Sequence, residues 1–234
     1  MKLNVTPTSK HAFSLVELSI VLVVLGLLVG GVLSGRSLIR ASELRSVTTE
    51  YLSFHTAVRA FRDKYFFLPG DMTNATDFWG TDPAGCGSSA ANLGVTCNGN
   101  GDGRITENPA AWEHLANSGL IAGSYRGGAD HPCTSTPAYL SEVCPSAKIG
   151  NYWFLGRITA ALGNGLIVGG SRMTPNEVWN IDTKADDGKP GVGKIYYYGS
   201  ASNCTDSAVS YDPVANYLLT SDSKLCGVQF VNQY

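Results

Sequence analysis

Four groups of residues have types and spacings that could do chemistry. The first is Glu17, a lone carboxylate at the start of a run that carries no further charge until Arg36. A charge at membrane depth costs roughly 2.5 to 3.5 kcal/mol on insertion scales, so such a Glu reads as a group waiting for a specific partner. The second is Asn98-Gly99-Asn100-Gly101-Asp102-Gly103-Arg104-Ile105, with side-chain oxygens at alternate positions. Like an EF-hand loop, it offers Asn98, Asn100, Asp102 and the Arg104 carbonyl to one hard cation, with Gly at the sixth position and Ile at the eighth. The twelfth position is Pro109 where an EF-hand has a bidentate Glu, so Glu107 or Glu113 would have to substitute. The third is the acidic group Asp182, Asp186 and Asp187. It is a candidate cation site, or else a patch neutralised by Lys184 and Lys189. A hard cation, calcium if any, is one reading of the Asn98 loop and a simple Asn/Gly-rich turn the other, and no cofactor is required.

The cysteines form the fourth group. Cys86, Cys97, Cys133, Cys144, Cys204 and Cys226 all lie downstream of the apolar run. None makes a CxxC pair of the kind zinc sites use. An even count points to disulfides and an oxidising compartment. Six cysteines allow 15 connectivities, but the spacing falls into three near-neighbour pairs, and Cys86 with Cys97, Cys133 with Cys144 and Cys204 with Cys226 are expected. Closing loops of that size contributes about 2 to 3 kcal/mol apiece in the chain-entropy model.

Other motifs fail on context. Gly188-Lys189-Pro190-Gly191-Val192-Gly193-Lys194 nearly spells a phosphate loop, but it lacks the following Ser or Thr and leads into the strand-like Ile195-Tyr196-Tyr197-Tyr198. No GxSxG elbow is present, and His55, His114 and His131 have no neighbouring acid or cysteine in a catalytic arrangement. His55 is expected on the exposed side of its helix. No enzyme is expected. A net charge of −2 with 15% charged residues lacks the basic footprint of a nucleic-acid binder.

The elements that must position these groups begin with the apolar run. Phe13 to Ser34 is long enough to cross a bilayer, which takes about 20 apolar residues, and is longer than a secretory signal core. Lys2 and Lys10 before it and Arg36, Arg40 and Arg45 after it leave the orientation unsettled by charge. The downstream cysteines place the body of the protein outside the cytoplasm. Leu44, Val47, Tyr51, Phe54, Val58, Phe61 and Tyr65 recur at spacings of three and four, so the helix is expected to continue with one apolar face. Arg45, Glu50, Arg59, Arg62 and Lys64 fall off that face. Phe67-Leu68-Pro69-Gly70-Asp71 must end the helix, which from Phe13 to Tyr65 would span about 80 Å at 1.5 Å per residue.

The first forty residues resemble the type IV prepilin segment found in type IV pilins, minor pilins and the pseudopilins of type II secretion systems. Lys2, Lys10 and His11 supply the basic leader, Ala12 is the last residue removed, and Phe13 becomes the N-methylated first residue of the cleaved chain. Glu17 then stands at its fifth position. Two residues depart from the family pattern: Ala12 where Gly is usual before the cut, and Ser34 where a proline often stands. The resemblance implies processing by prepilin peptidase, a single-pass inner-membrane precursor with a periplasmic head, and assembly with other subunits through the membrane platform into a pilus or pseudopilus. In that assembly the new amine of Phe13 pairs with a Glu17 carboxylate. The other class in play is a membrane-anchored surface binding protein or adhesin that does not polymerise, but an anchor gains nothing from a buried carboxylate.

The expected fold is α+β and pilin-like. A leader at 1–12, a membrane and polymerisation helix at 13–35 and an amphipathic stalk at 36–66 precede a disulfide-stapled head at 67–234. In the head, Asp71 to Gly103 reads as loop. Asn108 and Pro109 open a helix carrying Trp112 and Leu115, and Gly119 stops it. Tyr152 to Ile158, Leu166 to Val168, Ile195 to Tyr198 and Val228 to Val231 read as strands of one antiparallel sheet. Thr174-Pro175-Asn176-Glu177 reads as a capping box for a helix with Val178, Ile181 and Ala185 on its inner face and its end at Gly188.

Overall fold

The computed structural model describes residues 14–81, 96–106, 108–127, 133, 140–159 and 162–231. The first helix, α1, runs Leu15–Tyr65, and the chain divides into two compact units at Ser42 and Glu43. In the first unit the helix presents its apolar side chains outward, Leu15, Leu27 and Leu33 among them. Among the described residues α1 is the one helix long and apolar enough to cross a membrane.

In the second unit, residues 43–65 of α1 lie on a sheet. Val47, Ala57, Val58 and Phe61 are buried, while Leu44, Tyr51, Phe54 and Tyr65 pack against the core, as the spacing of the stripe predicts. The Tyr51 ring stacks on Phe230 at 4.0 Å between centroids, and Phe54 meets Trp112 and Trp153 edge-on at 4.9 and 5.6 Å. Such ring pairs add about 0.5 to 1.5 kcal/mol each beyond the area they bury. Two expectations for this face are corrected. Glu50 is not simply off the packed stripe, because its Oε2 accepts the Trp153 indole N–H at 2.7 Å. His55 is half-buried beside the Tyr51 ring instead of exposed. The helix ends at Phe66, which adopts the left-handed conformation (φ 61°) just before the Pro69-Gly70 turn.

The sheet has five strands in the order β1-β2-β3-β5-β4, all neighbours antiparallel: β1 Ser146–Ala147, β2 Asn151–Thr159, β3 Gly163–Met173, β4 Ile195–Tyr198 and β5 Cys226–Val231. Its register explains the core. Trp153, Val168, Val228 and Tyr197 form one cross-strand row, and Leu155, Leu166, Phe230 and Ile195 the next. All eight are buried on the face that receives α1. Because side chains alternate across a sheet, a one-residue slip in any of these strands would turn its members of both rows away from the core.

Shorter pieces complete the head. Helices α2 Thr76–Trp79, α4 Leu140–Val143 and α6 Ala201–Cys204, with the two-residue β1, are too brief to show a sequence period. Helix α3, Asn108–Asn117, buries Trp112 and Leu115 as expected, and Gly119 follows it at φ 75°. Helix α5, Pro175–Ala185, opens on the expected capping box, with Thr174 and Glu177 each bonded to the other's backbone N–H. Its inner face differs in one residue. Ala185 is exposed, and the buried position after Val178 and Ile181 belongs to Asp182.

Two of the expected disulfides are formed, Cys133–Cys144 with Cα atoms 5.9 Å apart and Cys204–Cys226 at 5.7 Å. Cys97 is also disulfide-bonded. Cys86 lies outside the described residues.

Candidate functional site

The residues singled out by sequence fall in three places. At the N-terminal end of α1, Glu17 Oε2 accepts the Ser14 backbone N–H at 2.9 Å, and Ser14 Oγ accepts the Val16 N–H at 3.3 Å. Ser19 turns its hydroxyl onto the Val16 carbonyl at 2.8 Å. Every polar side chain of this first turn and a half is therefore spent on its own backbone, which suits a segment without water. Ala12 and Phe13 lie outside the described residues.

In the Asn98 loop the side-chain oxygens are turned onto backbone donors. Asn98 Oδ1 accepts the Thr76 N–H at 2.9 Å, Asn100 Oδ1 the Asp102 N–H at 3.0 Å, and Asp102 Oδ1 the Arg104 N–H at 2.9 Å. The loop closes on Asp71, which sequence reasoning missed as a site residue. Asp71 is buried, and its two carboxylate oxygens accept the N–H groups of Asp102 and Gly103, each at 2.9 Å. A Cβ at Gly99 would stand 2.2 Å from the Gly70 carbonyl oxygen, so only glycine lets the strand of loop approach so closely. Burial raises the Asp71 pKa, while the N–H bonds from Gly103, Asp102 and Gly101 pull the other way and the Asp102 charge adds to the rise. Glu113 is buried on α3, where its Oε2 accepts the Thr96 hydroxyl at 3.2 Å. Glu107 lies outside the described residues.

His114, next to Glu113, fixes this region to α3. Its Nδ1 accepts the Gly70 N–H at 2.9 Å and its Nε2 lies 3.0 Å from the Cys97 carbonyl. One nitrogen accepts and the other donates, which defines the neutral ring. Burial pushes its pKa down to about 4, against a smaller upward pull from the Cys97 bond.

The third place is the loop after α5. Asp182, Asp186 and Asp187 come together with their nearest ligand oxygens all within 4.8 Å of one another, the one such three-residue group among the described residues. Asp182 is fully buried. Its Oδ2 accepts the Tyr217 hydroxyl at 2.8 Å and its Oδ1 the Gly188 N–H at 3.2 Å. Asp186 Oδ2 accepts the N–H groups of Lys194 and Ile195, and Asp187 Oδ1 accepts the Lys189 N–H at 2.8 Å. The segment that resembles a phosphate loop thus wraps one of the chain's own carboxylates. A Cβ on Gly193 would lie 2.1 Å from Asp186 Oδ2. Lys189 directs its Nζ to Asn216 Oδ1 at 2.8 Å. Burial pushes Asp182 up to about 7; the bonds from Tyr217 and Gly188 lower it and the charges of Asp187 and Asp186 raise it. Burial and then the Asp182 charge raise the Tyr217 hydroxyl as well. Each carboxylate keeps lone pairs beyond those already used, so the group fits a hard cation held by oxygen.

Comparison with known families bears on the first of these places. Residues 7–33 match the family model of the prokaryotic N-terminal methylation motif, the signature of type IV pilins and pseudopilins. The match spans the segment that holds Ala12, Phe13, Ser14 and Glu17. With its single apolar N-terminal helix, the chain fits a protein anchored once in the inner membrane. No curated protein and no solved structure matches the chain.

Proposed function

We propose that this protein is a structural subunit, not an enzyme: a pilin, minor pilin or pseudopilin that prepilin peptidase cleaves between Ala12 and Phe13 and methylates at the new N-terminus. The processed chain assembles with other subunits, through the inner-membrane assembly platform, into a type IV pilus or a type II secretion pseudopilus. The observation that carries this is the methylation motif at residues 7–33, with its one acidic residue, Glu17, in a stretch of helix whose apolar side chains from Leu15 to Leu33 are uncovered. Such a surface needs lipid before assembly and neighbouring helices after it. The head is periplasmic, in keeping with its disulfides.

Mass spectrometry of membrane-extracted protein tests the processing step. An N-methylated Phe13 at the N-terminus is expected, whereas a chain starting at Met1 or near Gly35 would refute it. The filament does not require a cofactor. Calcium at Asp182, Asp186 and Asp187 is part of the same proposal and would offset the mutual repulsion of three close carboxylates.

A further inference from the structure

We propose that the heads of successive subunits dock through Phe66, whose ring enters an apolar groove on α1 of the next copy. The contact presupposes the filament reading above and is carried by separate observations. Folding alone does not account for Phe66. Its ring is 87% exposed, and its backbone sits at φ 61°, in the left-handed region that a bulky side chain rarely adopts. Phe66 and Tyr211 are the two such non-glycine residues among the described ones. Glycine or asparagine at this position would end the helix with less strain and leave no ring in water. A strained residue that holds a large apolar group in solvent points to a contact made elsewhere, and aromatic side chains dominate the energetics of such contacts.

The same head has a place for the ring. Ser53, Thr56, Ala57 and Ala60 floor a groove of about 430 Å³, walled by Leu52 and by Leu120 from the turn after α3. A cavity of about 150 Å³ already takes a benzene ring. The Thr56 hydroxyl donates to the Leu52 carbonyl at 2.8 Å, so it makes no demand on an apolar guest. Two features make a second copy the occupant. Uncovered apolar side chains continue along α1 past the membrane segment, at Leu38 and Ile39, to Leu52 at the groove, so this surface prolongs the one that a filament must cover. Ring and groove also lie on different parts of the chain. Their contact is therefore heterologous, leaving a free ring on one copy and a free groove on the other, and it repeats without closing. Residue 66 stands about ten residues beyond Thr56, about 15 Å along a helix at 1.5 Å per residue. The stalks of two copies anchored in one membrane point the same way, so each docking advances the next head along that direction.

The test uses the full chain in cells. Thr56→Cys with Phe66→Cys is expected, under mild oxidation, to give a ladder of dimers, trimers and longer species joined between residues 56 and 66, identified by peptide mass. Within one chain the two positions are too far apart for a disulfide, whose Cα atoms lie within about 7 Å. Absence of the 56–66 peptide from both membranes and sheared filaments overturns the inference. Phe66→Asn is expected to lower filament protein several-fold at an equal membrane pool. The melting temperature of the purified chain in micelles should stay equal or rise, since asparagine tolerates the left-handed conformation. Full assembly of Phe66→Asn overturns the contact, and so does a lowered melting temperature, which would show that Phe66 serves the fold. The filament reading is judged separately, from N-methylated Phe13 and the wild-type filament pool. Filaments without the ladder leave that reading standing and sink the head contact. A ladder in the membranes of cells that form no filament supports the contact and sinks the filament.

Discussion

Two buried ionisable residues of the head have opposite responses to acid. His114 has a folded pKa of about 4, below its usual 6.5, so the unfolded chain takes up the proton first as pH falls. Its contribution to stability is complete above about pH 6.5 and is lost on descent toward pH 4. Asp182 has a folded pKa of about 7, above its usual 3.8, so the folded chain holds the proton to higher pH. Its contribution is present at acid pH and lost on ascent from about 3.8 to 7. Each effect is on the order of 3 kcal/mol, and between about pH 4 and 6.5 they oppose each other. Urea denaturation of the chain from Arg45 onward is therefore expected to show only a weak pH dependence from this pair. Asp182→Asn should expose the loss of stability toward acid, and His114→Gln the gain. Parallel profiles for the two variants would mean that neither burial acts as described.

Calcium belongs at the same scale. A cation that binds the folded state alone stabilises it by RT ln(1 + [L]/Kd), about 1.4 kcal/mol at ten times Kd. An extracellular-type site with a Kd of about 10⁻⁴ to 10⁻³ M should raise the melting temperature at millimolar calcium, and chelator should reverse the gain. Asp186→Asn is expected to abolish the shift and Asp102→Ala to leave it. The opposite pattern would move the site to the Asn98 loop, and no shift in the wild type would leave both loops as solvent-facing turns built around their own carboxylates.

At the scale of elements, what could be read from sequence depended on how far apart the interacting residues lie. The stripe from Leu44 to Tyr65, the β-branched run Val228 to Val231 and the Thr174 to Glu177 box each signal through neighbours a few residues away, and each forms the expected element. Asp71, His114 and Tyr217 gave no such signal. Their hydrogen-bond partners stand 31, 44 and 35 residues distant, and only the folded chain brings them together. The alternate oxygens of the Asn98 loop are visible in the sequence, whereas the closing of the Asp102 and Gly103 N–H groups on the Asp71 carboxylate is not. Ala185 reads as inward from its apolar character alone, yet the buried position belongs to Asp182, which is hydrogen-bonded to Tyr217 and Gly188. The Cys204–Cys226 bond lies between these cases, short enough in sequence to anticipate and placed where it secures β5. Since β5 supplies Val228 and Phe230 to both core rows, Cys204→Ser with Cys226→Ser is expected to cost about 2 to 4 kcal/mol, read as an earlier urea midpoint. A midpoint equal to wild type would show that the sheet register alone holds the strand.

For the whole molecule, division into two units makes assembly separable from folding. Glu17 belongs to the unit ending at Ser42, whereas the buried core, both described disulfides and all the buried polar contacts of the head belong to the other. Glu17→Ala is therefore expected to leave the melting temperature of the head unchanged and to ease membrane insertion, since it removes a charge costing roughly 2.5 to 3.5 kcal/mol at depth. Its cost should appear only when subunits meet. A neighbouring amine left without its carboxylate in an apolar helix bundle bears a desolvation penalty that nothing offsets. Filament yield should accordingly fall while the membrane pool of the processed subunit rises, both measured by fractionating sheared cells and quantifying the chain in each fraction. A fall in both pools would point to loss of folding or insertion. An unchanged yield would mean that uncovered apolar surface alone drives assembly and that the carboxylate has some other partner.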